Sequence, residues 1–161
     1  MKKKRGSLGR RFFSGRITTM TRCTHLIAVY LILIEDDKIL LQRRFNTGYK
    51  DGNYSLPAGH LDDNESITQA LVREVKEEID LDLKVEDLKL VHIMHRKESE
   101  IRVDLFFTTK KYQGEPKNAE PDKCDDLSWF PLDNLPENTL PYIRKAIASH
   151  FSKTLYSELG W

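Results

Sequence analysis

The sequence predicts an α/β domain, and three observations carry that prediction. Residues 24–34 (THLIAVYLILI) form a β-branched apolar run suited to a strand buried on both faces. Residues 67–79 place Ile67, Leu71, Val75 and Ile79 at helical spacing, with Val72 beside them. Residues 141–156 return to that spacing, with Ile143, Ala146, Ile147 and Phe151 on one face.

Taken in order, residues 1–19 stand apart from the rest. They hold seven bases and no acid, and only Leu8, Phe12, Phe13 and Ile17 are bulky and apolar. Such a block does not bury enough surface to offset its ordering entropy and is expected to be disordered in isolation. Three readings compete for it: a passive tail before an alternative start at Met20, an acid-free targeting segment, or a contact for nucleic acid or an anionic surface. The domain is therefore expected over 20–161, with any nucleic-acid contact confined to 1–19. After the first strand, Glu35-Asp36-Asp37-Lys38 reads as a turn and 38–43 as a second strand, together a hairpin. Residues 45–54 are a polar loop with Gly48 and Gly52, and Pro57-Ala58-Gly59 is expected to break regular structure. Residues 62–66 (DDNES) supply N-cap candidates for the helix that follows. Strands are expected over 83–95 and 101–112, a long polar loop over 114–126, and a short strand over 127–130. A loop with Pro136 and Pro141 then leads to the closing helix.

The chain has 161 residues, with 39% hydrophobic and 32% charged, which is the composition of one globular domain. A domain of this size buries roughly 70% of its unfolded surface and needs no staple to fold. Two cysteines, Cys23 and Cys124, allow one bridge at most and form no CxxC, which favours reduced thiols in a cytoplasmic protein. The longest apolar run, Leu26 to Ile34, is too short for a membrane helix, which needs about 20 residues. The balance of 26 bases against 25 acids, net +1, excludes a wholly basic nucleic-acid binder. It also hides a split: the seven bases of 1–19 leave 19 bases against 25 acids in the remainder.

The helix carries the chemistry. Glu74, Glu77 and Glu78 fall within an arc of roughly 100° on its surface. Like charges at this spacing repel by a few tenths of a kcal/mol. Such crowding makes sense where divalent cations sit among the carboxylates, because Mg²⁺ takes oxygen ligands and bridges to substrate phosphates. A solvated acidic face is the alternative for the triplet alone.

Residues 59–81 read GHLDDNESITQALVREVKEEIDL. This stretch resembles the Nudix box, GX5EX7REUXEEXGU, with U a bulky aliphatic residue. Gly59, Glu65, Arg73, Glu74, Val75, Glu77, Glu78 and Leu81 match it. Asp80 departs, standing where the family has a Gly that ends the helix in a left-handed conformation. The resemblance covers roughly 24–152 and implies the Nudix fold, an α/β/α sandwich around a mixed β-sheet. It implies hydrolysis of a pyrophosphate bond with Mg²⁺ or Mn²⁺, and a small-molecule nucleotide as substrate. It gives Glu74, Glu77 and Glu78 as metal ligands, and one of them, or Glu120, as the catalytic base. Glu120 matches the extra carboxylate that MutT-type members bring to the metal, and the Ala58 carbonyl is a further ligand. Gly59 allows a close backbone turn, while Arg73 and Glu65 pair to orient the helix.

Recognition residues are less sharply defined. The resemblance places Arg43 and Arg44 where a basic pair reaches phosphates, although strand alternation sends them to opposite faces. His60 stands where some relatives carry a phosphate-binding Lys. Asn138 lies one residue from a base-reading Asn of MutT-type enzymes. Asp104, mid-strand, either accepts hydrogen bonds from a base or pairs with Arg102 or Arg96. Tyr49, Tyr54, Phe106 and Trp129 are candidate stacking partners. The expected activity is release of a monophosphate and pyrophosphate from a nucleoside triphosphate or modified nucleotide. Other nucleoside diphosphate derivatives, or a non-catalytic module binding nucleotide or RNA, are the alternatives.

Overall fold

The computed structural model describes residues 24–161; the basic segment 1–19, Met20 and Cys23 lie outside the described residues. Nine strands, two α-helices and one short 3₁₀ turn are described. The apolar run becomes strand β1 (Leu26–Ile32), and Ile34–Glu35 (β2) turns back into β3 (Lys38–Arg44). Asp36 and Asp37 both take positive φ at the tip, the geometry of a tight hairpin. Two short strands follow, β4 (Tyr54–Ser55) and β5 (Ala58–His60). Helix α1 (Ile67–Ile79) starts at Ser66, whose hydroxyl accepts the Gln69 N–H while the Gln69 side chain accepts the Ser66 N–H. Asp80 ends it in the left-handed conformation, at φ 53.

The remaining elements depart from the sequence expectations at their ends. The strand expected at 83–95 is instead a 3₁₀ turn at Val85–Asp87 followed by β6 (Lys89–Lys97). Strand β7 (Ile101–Thr108) stops where the chain leaves the sheet, and β8 (Cys124–Pro131) is longer at both ends than expected. Helix α2 (Pro141–Phe151) stops early, because Lys153 takes positive φ, and the chain returns as β9 (Tyr156–Leu159). The Pro57-Ala58-Gly59 segment does not simply break structure, because β5 pairs with β1.

The strands form two sheets. The five-stranded sheet has the order β5-β1-β7-β6-β9, with β1–β7 and β6–β9 parallel and the other pairs antiparallel. In the second, β3 is central, with β8 on one side and β2 and β4 on the other. Alternation along β1 feeds two cores. Ala28, Tyr30 and Ile32 join Tyr142, Ile143, Ala146 and Ile147 of α2. Val29, Leu31 and Leu33 join Ala70, Leu71, Val75 and Ile79 of α1. The helices therefore cover opposite faces, which gives an α/β/α sandwich. No helix of the described residues is long and apolar enough to cross a membrane.

Candidate active site

A cleft of about 330 Å³ opens where β1, β3, β5, α1 and the 114–123 loop meet. Helix α1 supplies Glu74 and Glu78 to it, and the loop supplies Glu120. The loop reaches this position by capping the helix. The N–H groups of Ala119 and Lys117 donate to the carbonyls of Glu78 and Ile79, which lack helical partners. Glu120 then turns inward, with its N–H bonded to Asn118 Oδ1 and its carboxylate held by Lys123 at 2.7 Å.

Glu78 is strongly perturbed. Its Oε2 accepts the Ala58 N–H at 2.8 Å and the Gln42 side-chain amide at 3.0 Å. Burial pushes its pKa up to about 8 against those donors, and the charges of Glu74 and Glu120 push the same way. Burial also raises Glu74, which rests against Arg73 at 2.9 Å. Gly59 makes this placement possible, since a Cβ there would collide with the Glu74 carboxylate. Glu77 is different. It is exposed, bonds Arg73 at 3.3 Å and lies outside the lining of the cleft.

Arg73 ties the box together. Its guanidinium holds Glu65 through two bonds of 2.7 and 3.1 Å and donates to the His60 carbonyl at 3.2 Å. Glu65 thereby carries a carboxyl held below its usual range by Arg73 and by the Asp62 N–H. The pair fixes the entry to α1 against β5.

Arg43 and Arg44 both line the cleft. Alternation along β3 does not keep either of them out of it, and the β3–β8 register shifts beside them, with Asp125 the extra residue of β8. They differ in charge balance instead. Arg43 is neutralised by two bonds to Asp125, whereas Arg44 bonds the neutral oxygens of Tyr49 and Thr47. His60 is exposed at the mouth of the cleft.

Two recognition candidates are not brought to the cleft. Asp104 is fully buried and bonds Arg96 at 2.7 Å, so its carboxylate serves an internal ion pair rather than a base. Asn138 donates to the Gly52 carbonyl at 2.6 Å and closes one loop on another. Of the stacking candidates, Tyr49 lines the cleft, while Phe106, Trp129 and Tyr54 pack in or against the cores. The sequence reading missed Gln42, Arg102, Tyr142 and Lys123. Gln42 alone left a signal, as a polar residue inside the apolar strand KILLQR.

Among the described residues no three His, Cys, Asp or Glu side chains stand grouped as a ready-made metal cage. The chemistry of the donors nevertheless fits a hard divalent cation. Glu74, Glu78 and Glu120 are all oxygen donors, and two are held by Arg73 and Lys123. Burial and the charges of Glu74 and Glu120 make ionisation of the third costly, a cost that a cation would offset.

Comparison with known proteins agrees with this arrangement. The NUDIX domain family model matches residues 24–151. An ADP-ribose pyrophosphatase of Methanocaldococcus jannaschii is 35% identical over 112 residues, covering 69% of this chain and 64% of that protein. A human 8-oxo-dGDP phosphatase is 32% identical over 116 residues, covering 71% of this chain and 34% of that protein. The crystal structure of a MutT NUDIX hydrolase from Burkholderia pseudomallei superposes with a TM-score of 0.73 at 27% identity, covering 78% of this chain and 98% of that one. The chain thus spans from about a third to just under two thirds of the length of the curated relatives it matches. The fold, the box and these matches together place the chain in the Nudix hydrolase family.

Proposed function

We propose that the chain hydrolyses a phosphoanhydride bond in a nucleoside triphosphate or modified nucleotide, with Mg²⁺ or Mn²⁺, and releases a monophosphate and pyrophosphate. The observation that carries this reading is the meeting of Glu74, Glu78 and Glu120 in one cleft that Arg44 also lines. Glu74, Glu78 and Glu120, with the Ala58 carbonyl, are the groups that would hold the cation. When bound, it would neutralise phosphoryl oxygens and lower the pKa of a water.

The chain's own residues supply the rest. Arg44 offers an uncompensated positive charge to the polyphosphate. Gln42 and the Ala58 N–H fix one oxygen of Glu78, and Oε1 has no hydrogen-bond partner among the described residues. That unpartnered oxygen is the atom of Glu78 left to face a cation or an attacking water. Gly59 and Arg73 hold Glu74 in register. Phosphoryl transfer needs positioning more than covalent chemistry, and this is what these contacts provide.

A second reading, a nucleoside diphosphate linked to another group such as ADP-ribose, is favoured by the Methanocaldococcus jannaschii relative. A substrate panel with Mg²⁺ or Mn²⁺ separates the two. It compares canonical and oxidised nucleoside triphosphates with ADP-ribose, nucleotide sugars and diadenosine polyphosphates, with product identification. Pyrophosphate as product supports the first reading, and AMP with ribose 5-phosphate supports the second. In Glu78→Gln, turnover should fall by about two orders of magnitude or more while the melting temperature stays near that of the parent. Full activity in that variant would remove Glu78 from the mechanism.

A further inference from the structure

Three tyrosines line the cleft, and all three lean on one buried ion pair. Arg96 of β6 and Asp104 of β7 are fully buried, with Arg96 Nε donating to Asp104 Oδ2 at 2.7 Å. Tyr30, from β1, donates its hydroxyl to Asp104 Oδ1 at 3.5 Å. Tyr142, in the first turn of α2, lays its ring against the Arg96 guanidinium, 3.8 Å from centroid to carbon. Tyr49, from the loop after β3, accepts from Arg96 Nη1 at 3.4 Å and donates to Glu98 at 2.6 Å. The same Nη1 holds Glu98 at 3.0 Å. A strand, a loop and a helix far apart in sequence are therefore referred to one ion pair, Tyr30 through Asp104 and the other two through Arg96.

Stability does not account for the pair. Burying two charges seldom adds net stability, because lost hydration offsets their attraction, and apolar residues of similar volume often do as well. Arg96 also leaves its Nη2 unpartnered among the described residues, a further cost. What an apolar pair would not do is orient phenol rings from three separate elements. Tyr30 and Tyr142 reach the cleft from the core, each 4% exposed, so they offer it edges of fixed rings. Ala28, small and also lining the cleft, sits in register with Asp104. The planar guanidinium of Arg102 lies 6.0 Å from the Tyr49 ring centroid and adjoins that ring.

We propose that the Arg96–Asp104 pair is a positioning device that sets Tyr30, Tyr49 and Tyr142 as a rigid seat for the planar base of a nucleotide. The proposal rests on the nucleotide reading of the cleft. Neither member of the pair touches substrate. Both act through the tyrosines.

The test is equilibrium binding to the full chain, by calorimetry, of AMP, GMP and base-free ribose 5-phosphate. Tyr49→Phe keeps the ring and removes its anchoring hydroxyl near the surface, and Asp104→Asn removes the charge of the pair. Both variants should bind AMP and GMP about tenfold more weakly, the loss expected for one hydrogen bond to a charged group, with ribose 5-phosphate unaffected. A merely structural role would weaken all three ligands alike or none. Equal weakening of ribose 5-phosphate would show that this part of the cleft takes phosphate, and would overturn the proposal. So would undiminished AMP and GMP binding in Tyr49→Phe, or a parent chain that binds neither nucleotide. Should Asp104→Asn fail to fold, Tyr49→Phe decides alone. Base-dependent binding without turnover of any substrate would refute the hydrolase reading and keep the seat. Turnover with affinities indifferent to Tyr49→Phe would do the reverse.

Discussion

Gly59 shows how one residue without a side chain controls where another residue's carboxylate sits. Its backbone does not require glycine by sign of φ, because it is not among the positive-φ positions. The requirement is space for the Glu74 carboxylate. Gly59→Ala should therefore fold, displace Glu74 and lower kcat/KM about a hundredfold, the scale of loss that follows a misplacement of about 1 Å. Kinetics beside a thermal melt would check this, and a parent-like kcat/KM would show that Glu74 does not depend on the gap. The box glutamates and Gly59 were legible in the sequence because their spacing along one helix and its approach is local. Asp104 was legible only in part: Arg102 lies two residues away on its own strand, and that Arg96 of β6 is the partner instead is decided by the β6–β7 register.

At the scale of elements, α1 was readable at both ends because its signals are chemical. Ser66 and Gln69 close its start, and Asp80 closes its finish in a conformation that favours glycine. Asp80 is compensated by ion pairs to Lys76 at 2.7 Å and Lys117 at 2.6 Å, which hold its carboxyl down to about 2. Asp80→Gly exchanges those pairs for an unstrained backbone. Its melting temperature should gain relative to the parent as salt is raised, because salt screens only the parent's pairs. The short strands β4, β5 and β9 escaped the sequence reading because two to four residues carry no usable period. Their pairing comes from partners far along the chain.

The C-terminal strand also carries a pH dependence. His92 is buried in β6, with Nδ1 on the Thr154 carbonyl at 2.7 Å and Nε2 on Ser157 at 2.9 Å. Burial, more than the nearby Lys145, lowers its pKa. The folded state thus resists a proton that the unfolded chain accepts below about pH 6.5. Its contribution to stability is complete above that value and is lost as pH falls through the lowered folded pKa. Hydrogen exchange over 154–159 should accelerate as pH drops from 7 to 5, once the intrinsic pH effect is divided out. His92→Gln should flatten that dependence.

On the scale of the whole molecule, the sandwich fixes α1 on one side of the sheet and α2 on the other, and the cleft draws residues from both. Tyr142 comes from the α2 core, while Glu74 and Glu78 come from the helix opposite. A cation gathered by Glu74, Glu78 and Glu120 would bind the folded state alone and stabilise it by mass action, by about 2.7 kcal/mol at a hundred times its dissociation constant. The melting temperature of the parent should rise with Mg²⁺ or Mn²⁺, and Glu78→Gln should blunt that rise. An equal rise in both would separate the cation from this site. The amides of Lys117 and Ala119 have a related consequence. Because they cap the carbonyls of Ile79 and Glu78, fraying of the helix end should draw Glu120 away with it. The exchange rates of those two amide protons therefore act as a built-in gauge of whether the site is assembled, readable with no substrate present.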